Sequence, residues 1–192
     1  MVAKLVLASS SPRREELLKR LGLNFTIVPS KINEDKFKSI APELMVQKLA
    51  QKKAEEVAAL VEDTIIIAAD TIVVKNKEII GKPENKNDAK KMLQKLQGEK
   101  HTVYSGITVL STETNNLLVD VDSTEVYLRS MNKQEINNYI NTGEPFDKAG
   151  SYAIQGLGGI FVEKINGSYF NVMGLPIHKL AIMLKEFGIN II

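Results

Sequence analysis

The sequence of 192 residues contains no cysteine and only two histidines, His101 and His178. The absence of cysteine excludes disulfide bonds, thiolate zinc sites, iron–sulfur clusters and a cysteine nucleophile. Two histidines cannot supply a site built from several imidazoles. We therefore expect any bound metal to be a hard cation held by carboxylate oxygens.

An excess of charge of one sign and long apolar runs are also missing. Lys and Arg total 25 against 23 Asp and Glu, which gives a formal net charge of +2, whereas a general nucleic-acid binder needs a broad basic face. No apolar run approaches the roughly 18 residues of a transmembrane helix. The first arginines follow the first apolar stretch, which is the reverse of the order in a signal peptide. We expect a cytoplasmic protein that binds neither a nucleic acid polymer nor a membrane.

The apolar segments predict a mixed α/β fold. Strands are predicted at residues 5–9, 25–30, 64–69, 71–74, 102–110, 117–128 and 159–165. Helices are predicted at residues 12–21, 42–61, 87–97, 132–142 and 176–187. Strands and helices alternate early and strands cluster later, which favours helices packed against a long twisted sheet. A division near residue 75 or 130 into two lobes around a cleft is left open.

The segment SSSPRREELL (9–18) predicts a helix that starts with a serine cap and Pro12. Arg13 and Arg14 then fall in the first turn, where the helix already carries partial positive charge. Two further cations there are unfavourable unless an anion binds, and guanidinium groups with backbone N–H groups suit a phosphate. The alternative is that both arginines are solvated and neutralised by the two glutamates that follow them.

Asp70 interrupts the apolar segment TIIIAADTIVV (64–74). An unpaired ionised carboxylate in a buried strand would be costly. Asp70 must therefore be paired, protonated, bound to a metal or placed at a strand end that faces a cleft. The alternative is a structural aspartate that caps a bend.

Two lysines are further candidates. Lys53 shares the apolar stripe of the helix from Pro42, because it lies four residues from both Leu49 and Val57. The alternative is a lysine whose stem covers the core while its ammonium group reaches water. Lys82 is presented by the loop Gly81-Lys82-Pro83, where a solvated charge is the alternative.

The segment EPFDKAGSYAIQGLGG (144–159) is rich in small residues, which let backbone N–H groups approach a ligand. It is neither a Walker loop nor the dinucleotide fingerprint. The Gln155 amide has the donor and acceptor needed to read a base edge. The alternative is an ordinary loop with a surface glutamine.

Six segments occur in a distinctive order and spacing: SSSPRREELL (9–18), LAQKKA (49–54), AADTIVV (68–74), GKP (81–83), EPFDKAGSYAIQGLGG (144–159) and INGSYFNVMGLP (165–176). In this arrangement the chain resembles the Maf family, whose members are also described as septum-formation inhibitors. The resemblance implies a nucleoside triphosphate pyrophosphatase that cleaves between the α- and β-phosphates with a divalent metal cation, Mg²⁺ or Mn²⁺. It also implies one domain over residues 1–192. Its fold would be an elongated twisted mixed sheet flanked by helices with a central cleft, like that of inosine triphosphate pyrophosphatases.

The resemblance further implies a role for each matching residue. Asp70 would accept the proton of the attacking water, or would hold the metal together with Glu34. Lys53 and Lys82 would act with Asp70 in catalysis. Five residues match the family's phosphate-binding positions: Ser9, Arg13, Arg14, Lys53 and Lys82. Three match positions that set base preference: Arg13, Thr71 and Gln155.

Arg, Thr and Gln at those three positions are typical of the branch that acts on dTTP and UTP. The sister branch, which acts on 7-methyl-GTP, has Glu in place of Gln155. The resemblance therefore implies an enzyme that hydrolyses dTTP and UTP to the monophosphate and pyrophosphate. A homodimer is likewise expected from the resemblance alone. One alternative is a pyrophosphatase for other non-standard nucleotides. The other is a non-enzymatic regulator of cell division that binds a nucleotide without turnover.

Overall fold

A computed structural model describes residues 4–32 and 40–192 of the chain. In these residues seven strands form one mixed sheet: β1 (Lys4–Leu7), β2 (Thr26–Ile27), β3 (Thr64–Lys75), β4 (Glu78–Ile80), β5 (Lys100–Ser111), β6 (Leu117–Leu128) and β7 (Val162–Asn166). The strand order is β2-β1-β3-β5-β6-β7, and β4 pairs with β3. β1 runs parallel to β2 and β3, whereas the pairs β3–β4 and β6–β7 are antiparallel.

Six α-helices occur in the described residues: α1 (Pro12–Arg20), α2 (Pro42–Ala58), α3 (Lys86–Leu96), α4 (Lys133–Asn141), α5 (Tyr169–Met173) and α6 (Ile177–Lys185). Helices flank the mixed sheet, so the predicted α/β class is confirmed. Over the same residues, none of the helices is both long and apolar enough to span a bilayer.

The predicted elements lack β4 and α5, and the structure differs from the prediction in three further places. The two apolar runs around Asp70 form the single strand β3, so Asp70 does not cap a bend. The second strand is only two residues long, and Pro29, which has no N–H to donate to a sheet, follows it closely. The last predicted strand begins at Val162 because Leu157–Phe161 forms a 3₁₀ turn.

The chain divides into two compact units. Unit 1 consists of Met1–Asp70, Ser105–Asp122 and Gly174–Ile192, and unit 2 of Thr71–Tyr104 and Ser123–Met173. The first crossing from unit 1 to unit 2 lies inside β3, directly after Asp70. A cleft between two lobes stays a prediction.

Each unit has an apolar cluster of its own. In unit 1 the cluster joins β1, α2, β3 and β5 through seven buried residues: Val6, Ala8, Ala54, Val57, Ile66, Ala68 and Leu110. In unit 2 a larger cluster joins α3 and α4 to β3, β5 and β6, with Leu93, Leu128, Tyr139 and Phe161 among its members. These clusters fix the positions of α2 in unit 1 and of α4 in unit 2, and both helices carry residues discussed below.

Candidate active site

Asp70 lies in the interior of β3 and is buried. Ile66 and Ala68 of the same strand belong to the cluster that includes α2. Since side chains on one face of a strand recur every two residues, Asp70 continues this face. Lys53 of α2 meets it there, and the Lys53 Nζ donates a hydrogen bond of 2.5 Å to Asp70 Oδ1. The positive charge of the ammonium group offsets the cost of burying the carboxylate. Asp70 is therefore paired with a cation within the strand.

Lys53 reaches Asp70 because of its place on α2. The helix buries Val46, Leu49 and Val57, and the helical spacing puts Lys53 on that side. The adjacent Lys52 has a side chain that is 55% exposed and pairs with Glu55. The Lys53 ammonium group therefore ends at a buried carboxylate rather than in water.

The approach of α2 to the sheet depends on Gly106 of β5. A Cβ built at Gly106 would lie 2.2 Å from Val46 O and 2.7 Å from Gln47 N, inside the backbone of α2. Only glycine permits this approach. Lys53 lies seven residues after Val46, two helical turns along the same face, so the contact at Gly106 helps to set the distance between Lys53 and β3.

Ser9 lies next to the Asp70 region through the register of β1 and β3. Leu7 pairs with Ile67 in parallel, and Ala8 N donates to Ile67 O at 2.8 Å. Continued for two residues, this register places Ser9 beside Ala69, the residue before Asp70. Neighbouring strands are roughly 4.8 Å apart. The carboxyl ends of parallel strands, followed directly by a helix N-terminus, are a common place for phosphate binding.

Arg14 in the first turn of α1 is fixed by two neutral oxygens. Its Nη1 donates to Ser9 Oγ at 3.1 Å and its Nε donates to Gly174 O at 2.8 Å. The Ser9 hydroxyl also accepts a hydrogen bond from Ser11 N at 3.2 Å. Ser9 is therefore held where the guanidinium group of Arg14 and the start of α1 meet.

The start of α1 differs from the prediction in one detail. Ser11 is the N-cap residue and Pro12 occupies the first turn, but the Ser11 side chain makes no capping hydrogen bond. The glutamates of the first half of the helix pair with basic residues one turn later, Glu15 with Lys19 and Glu16 with Arg20. Arg13 and Arg14 are both half-buried. The first turn of α1 therefore brings two guanidinium groups to the end of the helix that carries partial positive charge.

Three predicted site residues belong to unit 2. Thr71 follows Asp70 in β3 and is half-buried, and the alternation along a strand directs it to the face opposite Asp70. Lys82 is exposed in the loop after β4, and Gln155 is half-buried between two 3₁₀ turns. Gly150 N donates to Gly81 O at 3.0 Å, which joins the Lys82 loop to the segment that carries Gln155. The roles assigned to these residues stay predictions.

The donors available to a metal are few in the described part of the chain. Residues 4–32 and 40–192 contain no group of three or more His, Asp or Glu side chains that could hold a metal ion. Glu34, predicted as a ligand, lies outside the described residues. Mg²⁺ in phosphate chemistry is commonly bound by one or two carboxylates together with substrate oxygens. Asp70 fits that mode as a single protein carboxylate.

Sequence reasoning missed two residues, one in each unit, that hold segments with predicted site residues in place. Gly106 carries a usable signal, because a glycine inside a strand pattern indicates a close backbone approach. Glu144 opens the glycine-rich segment, and its carboxylate accepts hydrogen bonds from Leu157 N at 3.0 Å and Gly158 N at 2.9 Å. Nothing in the local sequence indicates that contact, because it spans 13 and 14 residues.

A comparison with protein families gives a match to the family described as Maf-like protein over residues 4–187. The chain belongs to the Maf-like protein family. Close relatives support the match over its full length. A protein of Caldicellulosiruptor saccharolyticus named dTTP/UTP pyrophosphatase is 47% identical to this Maf-like chain, over 98% of this chain and 96% of the relative. One of Alkaliphilus metalliredigens with the same name is 50% identical, over 98% and 99%.

Solved structures with the same fold include two Ham1 proteins. The Staphylococcus aureus protein aligns with a TM-score of 0.53 at 13% identity, over 96% of the Maf-like chain and 99% of that structure. The Coxiella burnetii protein aligns with a TM-score of 0.52 at 14% identity, over 96% and 100%. At such identities the likeness establishes the fold alone. It confirms the expected mixed α/β fold, which this chain shares with the two Ham1 proteins.

Proposed function

We propose that this Maf-like chain hydrolyses dTTP and UTP to the nucleoside monophosphate and pyrophosphate. Relatives that are 45% to 50% identical over 98% of the chain carry the name dTTP/UTP pyrophosphatase, which supports this substrate pair. The observation that carries the proposal within this chain is the buried Asp70–Lys53 pair next to Ser9 and the cationic start of α1.

In the proposed reaction, a water oxygen bonds to the α-phosphorus while the bond from that phosphorus to the bridging oxygen breaks. The carboxylate of Asp70 accepts the proton that the water loses, and pyrophosphate leaves with the bridging oxygen. Lys53 donates to Oδ1 and so orients the carboxylate, which leads us to assign the water to Oδ2. Ser9, Arg13, Arg14 and Lys82 bind the triphosphate oxygens, because positioning and neutralisation of charge drive such a transfer.

A divalent cation, Mg²⁺ or Mn²⁺, would supply further neutralisation of the phosphate charge. In the alternative role that the resemblance implies, Asp70 would contribute a carboxylate oxygen to this cation, together with oxygens of the substrate. Glu34 stays a predicted ligand from outside the described residues. A requirement for Mg²⁺ or Mn²⁺, lost on chelation and regained on addition of either ion, is the expected result.

Base preference is assigned first to Gln155. The Gln155 amide would pair with the donor and acceptor edge of the pyrimidine ring. Arg13 and Thr71 complete the set that the family resemblance implies. A homodimer and a cytoplasmic location are parts of the same proposal, and light scattering of the purified chain would test the first.

The decisive experiment is pyrophosphate release from each common nucleoside triphosphate, with deaminated purine and 5-substituted uridine triphosphates added to the panel. The proposal expects dTTP and UTP to have the highest kcat/KM. Faster turnover of the modified nucleotides would replace it with the broader house-cleaning function. Nucleotide binding without pyrophosphate release would instead favour the alternative of a non-enzymatic regulator of cell division.

A further inference from the structure

The segment around Gln155 is held at both ends by one chain of hydrogen bonds. On its N-terminal side, Ala153 N donates to the Tyr139 hydroxyl at 3.1 Å. On its C-terminal side, Leu157 N donates to Glu144 Oε2 and Gly158 N donates to Glu144 Oε1. The Tyr139 hydroxyl donates to Glu144 Oε1 at 2.8 Å and closes the chain. Gln155 therefore lies in the middle of a loop that two side chains span.

Tyr139, one of the two side chains that hold the loop, comes from a well-packed helix. Tyr139 is a buried residue of α4 whose ring packs edge-on against Phe161 at 5.2 Å between ring centroids. α4 itself begins with a capping box between Asn132 and Glu135. Burial, followed by the hydrogen bond to Glu144, raises the pKa of the Tyr139 phenol. The hydroxyl group accordingly remains a donor throughout the neutral range.

Glu144 is bound as a carboxylate. Burial alone would raise the pKa of Glu144, but the donors Gly158 N, Tyr139 and Leu157 N, with Lys148 nearby, together hold that pKa below its usual range. Three donors therefore converge on two oxygens that both act as acceptors.

The loop also has no room for side chains where it meets these groups. A Cβ at Gly156 would lie 2.3 Å from Glu144 Oε2, and a Cβ at Gly158 would lie 2.5 Å from the Tyr139 hydroxyl. At Gly159 a Cβ would lie 2.6 Å from Ile154 O. Gly156 and Gly158 thus allow the backbone to close tightly on Glu144 and Tyr139. The approach of this backbone to a ligand stays a prediction.

We propose that Glu144 is a positioning residue for base selection, which fixes the backbone on both sides of Gln155 through its contacts with Tyr139, Leu157 and Gly158. This inference rests on the proposed function, in which Gln155 reads the pyrimidine. Glu144 does not touch the substrate in this role. It restricts the loop to few conformations before the base binds, so that less conformational entropy is lost on binding.

Replacement of Glu144 by Gln tests the role with minimal change of shape. If the new amide nitrogen takes the place of Oε2, it faces the N–H of Leu157, and if it takes the place of Oε1, it faces the N–H of Gly158. Either orientation places two donors against each other, so the loop loses at least one contact. The experiment compares kcat/KM for dTTP and for dGTP, both measured from initial rates at substrate concentrations well below KM.

We expect Glu144→Gln to lower the ratio of kcat/KM for dTTP over dGTP about tenfold, mainly through a higher KM for dTTP. Glu125→Gln is the matched control, because Glu125 is a carboxylate of unit 2 with three donor partners, Lys100, Tyr127 and Asn166, none of them in the loop. That control should keep the wild-type ratio. Tyr139→Phe, which retains the ring and removes the hydroxyl, should lower the ratio as well.

The outcomes separate the inference from the proposed function. An unchanged ratio in Glu144→Gln overturns the inference, and so does an equal loss with both substrates, which is the result of a purely structural role. If Glu144→Gln does not fold, the ratio in Tyr139→Phe decides by the same criterion. Wild-type protein that releases no pyrophosphate from dTTP contradicts the proposed function instead. In that case, calorimetric binding of dTMP and dGMP to the same variants measures the loop effect without turnover.

Discussion

The Lys53 ammonium group lies 2.5 Å from the Asp70 carboxylate, and the two side chains are only 12% and 7% exposed. The pair joins the middle of α2 to the interior of β3. Two opposite charges removed from water stabilise each other only while both are present, so the loss of one partner costs more than the loss of both. The same two groups are also central to the proposed chemistry. Single and double substitutions of Lys53 and Asp70 therefore test how far the pair contributes to stability and how far to activity.

Asp70→Asn is expected to abolish pyrophosphate release from dTTP while the fold survives. The amide oxygen still accepts a hydrogen bond from Lys53, but an amide is no base for the proton of water. Pyrophosphate detection measures the activity, and circular dichroism with urea unfolding measures the fold. Turnover retained by a folded Asp70→Asn protein would remove Asp70 from the role of proton acceptor.

Lys53→Met should destabilise the protein by about 3 kcal/mol, because it leaves a buried carboxylate without its cation. Lys52→Met is the matched control on the same helix, since Lys52 is solvent-exposed and its pairing is worth well under about 1 kcal/mol. The double variant Lys53→Met/Asp70→Asn should recover part of the stability. Urea midpoints of these three variants and of Asp70→Asn measure the differences, and strictly additive losses of the two single variants would mean that the pair is not coupled.

Gly106→Ala is expected to destabilise unit 1 by about 1–3 kcal/mol and to lower kcat/KM, because the added methyl group would displace α2 and with it Lys53. Gly81→Ala is the control for the stability measurement. It should leave stability nearly unchanged, since a Cβ at Gly81 has no atom within 4 Å. Thermal unfolding and dTTP turnover measure the two effects. A stable and fully active Gly106→Ala protein would show that α2 can move without cost to the site.

Gln155→Glu should lower kcat/KM for dTTP and UTP more than it lowers stability. The carboxylate cannot donate to the pyrimidine edge that the amide is proposed to read. Gln134→Glu, an exposed substitution of the same type on α4, is the control. An unchanged preference among the four deoxynucleoside triphosphates in Gln155→Glu would remove this residue from base reading.

His101 is expected to make stability fall in mildly acidic solution. Its ring is buried and its Nε2 lies 2.8 Å from the Tyr152 hydroxyl. Burial, together with the nearby Lys75, lowers the pKa of His101 to about 4. Below about pH 6.5 the unfolded chain therefore binds a proton that the folded chain does not bind, so stability falls from there down to about pH 4. Between pH 7.5 and 5.0 the loss should be about 2 kcal/mol.

The histidine prediction has a built-in control because the sequence contains only one other histidine. His178→Gln should keep the pH dependence, since His178 is mostly exposed, at 54%, and lies 3.8 Å from Asp122. His101→Gln should remove most of it, whatever its stability at neutral pH. The urea midpoint of each variant at pH 7.5 and 5.0 gives the comparison. Equal slopes for all three proteins would contradict a neutral buried His101.

The sequence by itself determined the local features of this protein. Hydrophobic periodicity located most strands and helices, and it placed Lys53 on the buried side of α2, because a helix or strand buries residues at a fixed spacing. The acid within an apolar run marked Asp70, since burial of a charge demands a partner. The motif order indicated the family, and with it the expected fold.

Only the tertiary structure decided which groups meet. It made Lys53 the partner of Asp70, made Gly106 the point of contact with α2, and made Glu144 and Tyr139 the supports of the Gln155 loop. Each of these contacts joins residues far apart in the chain or on different elements. Local propensity carries no information on such pairings, because they follow from how the faces of strands and helices pack once the chain is compact.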